Sequence, residues 1–287
     1  MRYATAGALR AALERRLVDE ASATRADIAR LRRRVVFERL LVRLAHDGDH
    51  WVLKGAAALE IRLVNRARTT RDIDVALIGI KADESAVRDS LVNAMVVDPD
   101  GDLFEFRIAG FRRMAIDELL DPVWRASIDC RLDGRTFDRV SIDIALAVEE
   151  RHRVEVLRLP GALSFAGIAV ADMPAIDRYQ HFAEKLHALV RTYGDRPSTR
   201  VKDLADLVLL IDTGLPASGN LYEVVVDVFR SRGLSEAPDA LPDPPADWPA
   251  RYEELAAGLN LSAETLDGAM MLLRRFWSEA RSSAMED

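Results

Sequence analysis

Apolar positions along this chain follow two different periods. Residues 5–46 repeat near 3.6 and predict two helices. In Thr24–Leu44 the repeat runs through Ile28, Leu31, Val35, Leu40, Leu41 and Leu44, and Gly48 and Asp49 end it. A further helix is expected over Leu53–Val64 after a turn at Gly55, then a strand over Asp72–Ile78. A helix over Ala82–Ala94 follows, with Asp83 or Ala82 near its N-cap. From there the period drops to two. Phe104–Ile108, Arg125–Leu132 and Phe137–Val148 read as strands, the last two joined by a hairpin turn at Asp133-Gly134. Beyond residue 160 the pattern is helical. Pro174 suits the first turn of a helix running to about Thr192, and Gly194–Ser198 breaks it. Arg200–Asp212, apolar at Leu204, Leu207, Val208 and Ile211, and Leu221–Ser231 are helices. Residues 234–249 hold five prolines and form a crossing loop or a linker, and 252–282 make a final helix pair.

The expected class is therefore α+β. A small mixed sheet with N-terminal helices occupies residues 1–165, and a helical domain occupies 166–287 and completes a substrate cleft. With 287 residues, 49% of them hydrophobic and 30% charged, the composition is that of a globular protein. There is no apolar run of about 18 residues, so no membrane span is expected, and the N-terminus lacks an apolar signal core. The single cysteine, Cys130, excludes an internal disulfide and fits a reducing, cytoplasmic setting. It lies in a strand pattern, as a small core residue would.

Net charge is −7, but residues 1–71 carry 16 Lys and Arg against 8 Asp and Glu. Such a basic front suits a polyanion-binding face, and equally an ordinary solvated helix face. Arg32, Arg33 and Arg34 are the candidate polyanion contacts within it. Only four lysines occur, Lys54, Lys81, Lys185 and Lys202, so each is a compact charge among many arginines.

The chemistry concentrates in Trp51–Leu59 and Arg68–Leu77. A Lys54-Gly55 turn opens a helix, a loop with Arg66, Arg68 and Arg71 follows, and Asp72 and Asp74 then sit on one face of a strand. Oxygen-only ligands at that spacing suit Mg²⁺ bound with substrate phosphates. An isolated pair of this kind is also a common solvated strand end. Asp143, in a second alternating strand, is the candidate third carboxylate, and a two-metal site is possible. A second constellation is His181, Glu184 and Lys185 on one helical face, followed by Arg200, Asp203 and Asp206. Lys185 could reach a triphosphate and Asp203 could orient it, although the spacing also permits a solvated stripe.

Lys54-Gly55, Arg68-x-x-x-Asp72-Ile73-Asp74, Ala183–Ala188 and Arg200-x-x-Asp203-Leu204-x-Asp206-Leu207, in this order, resemble the AbiEii family. These are the nucleotidyltransferase-like toxins of bacterial abortive-infection systems, and they include the MenT toxins. Leu241-Pro242, Trp248-Pro249 and Tyr252 resemble the C-terminal region of the MenT branch, and the likeness runs from about residue 35 to 280. The resemblance implies a DNA-polymerase-β-like nucleotidyltransferase core. It implies Asp72 and Asp74 as metal ligands, Lys185 as a phosphate binder and Asp203 as completing the site. Lys54, Gly55, Ala56, Thr70 and Arg71 would line the nucleotide. Thr70 stands where some members have a serine that a partner antitoxin phosphorylates. The implied activity is Mg²⁺-dependent transfer of a nucleotide from NTP to an RNA acceptor, with tRNA 3′ ends the known case, which blocks translation. The implied partner is a cognate antitoxin. The chain departs from the family at Gly55-Ala56-Ala57-Ala58, where Gly-Gly-Ser/Thr or Gly-Ser is usual. A phosphate-binding hydroxyl is missing there, while backbone N–H groups can still serve. Two other readings remain open: a small-molecule, antibiotic-type nucleotidyltransferase, and a non-catalytic nucleotide-binding interaction module.

Overall fold

The structure, a computed structural model, is described for residues 2–63, 66–68, 70–81, 83–114, 122–147, 153–191, 200–233 and 236–286. By chain contacts it divides into two units. The first is Met1–Val64, Thr69–Glu149 and Val154–Ala175; the second is Asn65–Arg68, Glu150–Arg153 and Ile176–Asp287.

The first unit opens with two helices, α1 (Ala6–Thr24) and α2 (Ile28–Asp47). Each starts where a short polar side chain takes up a free N–H group: Thr5 accepts from Ala8 N and Asp27 from Ala29 N. The chain then runs through β1 (Trp51–Lys54), α3 (Gly55–Leu63), β2 (Asp72–Ile78) and α4 (Glu84–Val96). Strands β3 (Glu105–Arg113), β4 (Val123–Leu132), β5 (Arg135–Ala147), β6 (Val154–Arg158) and β7 (Asp172–Ile176) follow. All seven form one mixed sheet in the order β3-β4-β5-β2-β1-β7-β6. β2 pairs parallel with β5, and β1 antiparallel with β2.

Alternation sorts the two faces of this sheet. Ile73 and Val75 of β2, Val140, Ile142 and Ile144 of β5, and Trp124, Ala126, Ile128 and Cys130 of β4 are buried in one apolar cluster. Helix α1 packs against β4, α2 against β5 and β1, and α4 against β3. Burial pushes the Cys130 thiol pKa up, as befits a core residue. The intervening side chains, Asp72 and Asp74 among them, are only partly covered. A one-residue slip of β5 would bury Asp143 and expose Ile142 and Ile144, so the apolar layer fixes the register of the carboxylates.

Three expectations need correction. Trp51–Lys54 is a strand, so the helix after it begins at Gly55 rather than Leu53. Pro174 lies in strand β7, not in a helix, and the helix starts at Arg178 with the Asp177 carboxylate accepting from Gln180 N. Part of the basic front is neutralised internally. Arg32 bonds Glu14, and the fully buried Arg43 forks onto Asp102 at 2.8 and 2.7 Å. Arg39, also buried, reaches Asp100 at 2.9 Å. Arg39 and Arg43 of α2 clamp the turn at Asp98–Asp102 and are withdrawn from any polyanion face. Arg33 and Arg34 are half-exposed.

The second unit is helical: α5 (Arg178–Val190), α6 (Val201–Asp212), α7 (Gly219–Ser231), α8 (Pro249–Leu259) and α9 (Leu266–Glu286). The Gly194–Ser198 break and the helix end expected at Thr192 lie outside the described residues, as do Val64, Ala82 and Val148. The proline-rich stretch is a crossing loop held on α9. Trp277 Nε1 donates to the Pro238 carbonyl at 2.8 Å, and Arg274 reaches Asp243 at 2.6 Å. Among the described residues no helix is long and apolar enough to cross a membrane.

One buried group sets an acid limit on this unit. His187 packs edge-on against Phe229 and is 3% exposed. Burial first, and then Arg232 and Arg191, push its pKa down to about 4 from an ordinary 6.5. Between those values the unfolded chain binds a proton that the folded chain refuses. Stability therefore falls as pH drops from 6.5 towards about 4, by up to about 1.4 kcal/mol per pH unit. Urea unfolding across that window should show this slope, and His187→Leu should flatten it; an equal slope in the variant would assign the effect to other groups.

Candidate active site

The polar face of the sheet carries a row of charged residues in strict register. Lys54 of β1 lies opposite Asp74 of β2, Asp74 beside Asp143 of β5, Asp143 opposite Arg125 of β4, and Arg125 opposite Arg112 of β3. Paired residues on adjacent strands share a face, so the row reads cation, anion, anion, cation, cation at roughly 4.8 Å steps. Asp72 lies two residues before Asp74 on the same face and is 41% exposed at its side chain. The expectation that Asp143 lies beside Asp74, facing the same way, agrees with this register.

Gly55 makes the approach to Asp74 possible. It opens α3 with φ +61°, a conformation that favours glycine. A Cβ built there would lie 2.7 Å from Asp74 Cγ and 2.8 Å from its Cβ. The start of α3 thus packs against the carboxylate without a side chain between them. Ala56, Ala57 and Ala58 are buried, so no hydroxyl stands at this turn. What this turn presents is backbone N–H groups and the positive end of a nine-residue helix.

Arg125 was not foreseen. Its guanidinium forks onto Asp143, Nε to Oδ1 at 2.7 Å and Nη2 to Oδ2 at 2.6 Å, and lies 3.7 Å from Asp72 Oδ2. The Asp143 hydrogen bonds, with Asp72 and Asp74 nearby, hold its pKa above the ordinary arginine value despite partial burial. Asp143, expected as a third metal ligand, thus has both oxygens engaged by arginine. Among the described residues no group of three or more Asp, Glu, His or Cys side chains is arranged to hold a metal ion. The pair Asp72 and Asp74 does fit a hard cation, because Mg²⁺ takes one or two carboxylates and completes its shell with water and phosphates.

The flanks of the row are also placed. Arg71 is exposed. Thr70 is 8% exposed, and its hydroxyl donates to the Asp72 carbonyl at 3.0 Å while accepting from Asp72 N at 3.4 Å. It shapes the entry to β2, with its hydroxyl turned inward.

In the second unit the other constellation is buried rather than a solvated stripe. Lys185 Nζ, on a side chain 12% exposed, sits 2.8 Å from both Asp203 and Asp206. Arg68 forks onto Asp206 at 3.0 and 2.9 Å, and Arg200 lies 3.4 Å from Asp203. Burial opposes charge on Lys185, but Asp206 and Asp203 outweigh it and raise its pKa. Burial likewise opposes charge on Asp206, and Lys185 and Arg68 overcome it to lower its pKa. Arg68, expected in an open basic loop, is the partner of a fully buried carboxylate instead.

The pattern of the family described as nucleotidyl transferase AbiEii toxin, type IV TA system, matches residues 39–276. The chain belongs to this family. It is a nucleotidyltransferase toxin of the type IV toxin–antitoxin class, which implies an NTP substrate and an antitoxin partner. The solved structure of MenT4, a nucleotidyltransferase toxin from Mycobacterium tuberculosis H37Rv, is 19% identical and matches 96% of this chain and 98% of that one, with a TM-score of 0.51. That likeness supports the fold: a mixed sheet followed by a helical C-terminal half. No curated protein matches the chain.

Proposed function

We propose that this AbiEii-family enzyme is a Mg²⁺-dependent toxin that moves a nucleotide from NTP to an RNA acceptor, the 3′ end of tRNA, and so blocks translation in the cytoplasm. The observation that carries the reading is the charged row: two carboxylates on one strand face, a lysine opposite Asp74, and a bare helix start against that carboxylate. Asp72 and Asp74 would hold the metal ion. When bound, it supplies positive charge to the triphosphate and lowers the pKa of the attacking hydroxyl. The N–H groups at the start of α3 and the ammonium of Lys54 are suited to phosphate oxygens. Lys185, which the family pattern assigns to phosphate, is 2.8 Å from both Asp203 and Asp206. Asp203 holds that ammonium in place. Arg33 and Arg34 offer sequence-independent charge to RNA, while Arg32 is committed to Glu14.

Incubation with each radiolabelled NTP, Mg²⁺ and total tRNA should label tRNA with one preferred nucleotide. Asp72→Ala should fold normally and lose the labelling by a factor of at least about 10³, because a metal ligand contributes several kcal/mol of charge stabilisation. Wild-type labelling by that variant would remove Asp72 from the metal site. Labelling of a small molecule in place of tRNA would transfer the chemistry to a different acceptor.

A further inference from the structure

Arg125 stands in the charged row beside the carboxylates assigned to the metal, and holds neither metal nor phosphate in that scheme. Arg125 is 29% exposed at its side chain, sits near the start of β4, and spends its planar fork on Asp143. A merely structural arginine could pair with any carboxylate on this face. Arg125 instead pairs with the residue next to Asp74 in register and also lies 3.7 Å from Asp72. Arg112 stands directly across from it on β3, and a like charge there pushes the fork towards the carboxylates. Both Asp143 oxygens are therefore covered by the guanidinium, on the face where a cation held by Asp72 and Asp74 would look for a further ligand.

We propose that Arg125 is a built-in counter-ion that competes with the divalent cation for Asp143, so that metal and nucleotide load together. The inference rests on the assignment of Asp72 and Asp74 as metal ligands. Without substrate, the guanidinium neutralises the carboxylates and a divalent cation gains little by entering. A triphosphate changes the balance, because its oxygens match the arginine fork as well as a carboxylate does. Arg125 then has an anion to move to, Asp143 is released, and the cation gains a third oxygen donor. Arg125 is in this view a positioning residue. It couples the two ligands by a differential interaction with the empty and loaded states.

The test uses the full chain and Mn²⁺ as the probe, with binding followed by calorimetry with and without a non-hydrolysable NTP analogue. Wild type should bind Mn²⁺ weakly alone and at least about tenfold more tightly with the analogue. Arg125→Gln should bind Mn²⁺ alone about tenfold more tightly than wild type, since a competing charge a few ångströms away is gone. The gain conferred by the analogue should shrink in the same variant. Arg125→Lys, which keeps the charge but loses the fork, should fall between the two and serves if the glutamine variant does not fold. Mn²⁺ affinity unchanged or weakened in the folded variants overturns the proposal. Asp74→Asn separates this from the parent reading. If it abolishes Mn²⁺ binding while Arg125→Gln does not tighten it, the metal assignment stands and only the counter-ion role falls. If Asp74→Asn leaves Mn²⁺ binding intact, the metal assignment fails and the role of Arg125 fails with it.

Discussion

Asp206→Ala is expected to cost about 3–5 kcal/mol of unfolding free energy, more than any other single change in the buried ion cluster. The reason is a charge count. Asp206 is fully buried and answers two cations, Lys185 at 2.8 Å and the fork of Arg68 at 3.0 and 2.9 Å. Asp203 answers Lys185 and Arg200. Remove Asp206, and Lys185 keeps only Asp203 of its two carboxylates while Arg68 loses its two-pronged partner. Remove Lys185 instead, and Arg68 still pairs with Asp206 while Arg200 remains beside Asp203. Lys185→Ala should therefore cost roughly half as much, even though it is the residue assigned to phosphate. Urea unfolding monitored by circular dichroism reads the ranking, and the larger loss corresponds to a fall in Tm of roughly 6–20 °C for a chain of this size. The two variants also separate stability from chemistry. Lys185→Ala should still fold yet lose nucleotide transfer beyond its loss of stability. If Lys185→Ala proves the less stable of the two, Arg68 does not compensate Asp206 and the cluster has been apportioned wrongly.

The way this cluster escaped a reading of the sequence is instructive. Charged residues at i, i+3 spacing on a helix are usually solvated, and spacing alone says nothing about burial. Asp203 and Asp206 are buried because α6 is apolar on nearly every side, including Val201, Leu204, Leu207, Val208 and Leu210. The partner of Asp206 comes from a loop 138 positions earlier, beyond the reach of any local pattern. Asp72, Asp74 and Asp143 were legible for the opposite reason. A period of two, with branched apolar residues between the carboxylates, leaves one choice of face. Arg125 falls between these cases. A plain two-residue hairpin at Asp133-Gly134 pairs Leu132 with Arg135, and carried up the ladder unbroken it would place Trp124 opposite Asp143. A register shift between Cys130 and Arg131 moves the pairing by one residue and brings Arg125 there instead. The polarity of the two strands hinted at that bulge, since Trp124 and Asp143 belong on opposite faces. Strands β1 and β7 were lost to simpler ambiguities. Trp51–Lys54 is a short apolar run without alternation, and Pro174 fits a helix start as well as a strand near the rim of a sheet.

Gly55→Ala should abolish transfer while leaving the fold standing, although it adds only one methyl group. Two effects act together. The backbone at φ +61° disfavours any Cβ by about 1–2 kcal/mol. The methyl would also stand within 2.8 Å of the Asp74 side chain, closer than carbon atoms tolerate, so the carboxylate or the start of α3 must move. Neither can move freely, because Ala57 and Ala58 of α3 and Val75 of β2 are packed in the core. A displacement of about 1 Å at a catalytic ligand costs on the order of 100-fold in rate, and the lost metal grip adds to it. Thermal unfolding should fall by only a few degrees, while Mn²⁺ binding and tRNA labelling fall together. The decisive comparison is with the double variant Gly55→Ala, Asp74→Ala. If the glycine matters because of Asp74, the double variant should be no slower than Asp74→Ala alone, since the two changes strike one interaction and cannot add. Additive losses would mean that Gly55 serves the nucleotide directly, through the N–H groups at the start of α3, and that its closeness to Asp74 is incidental.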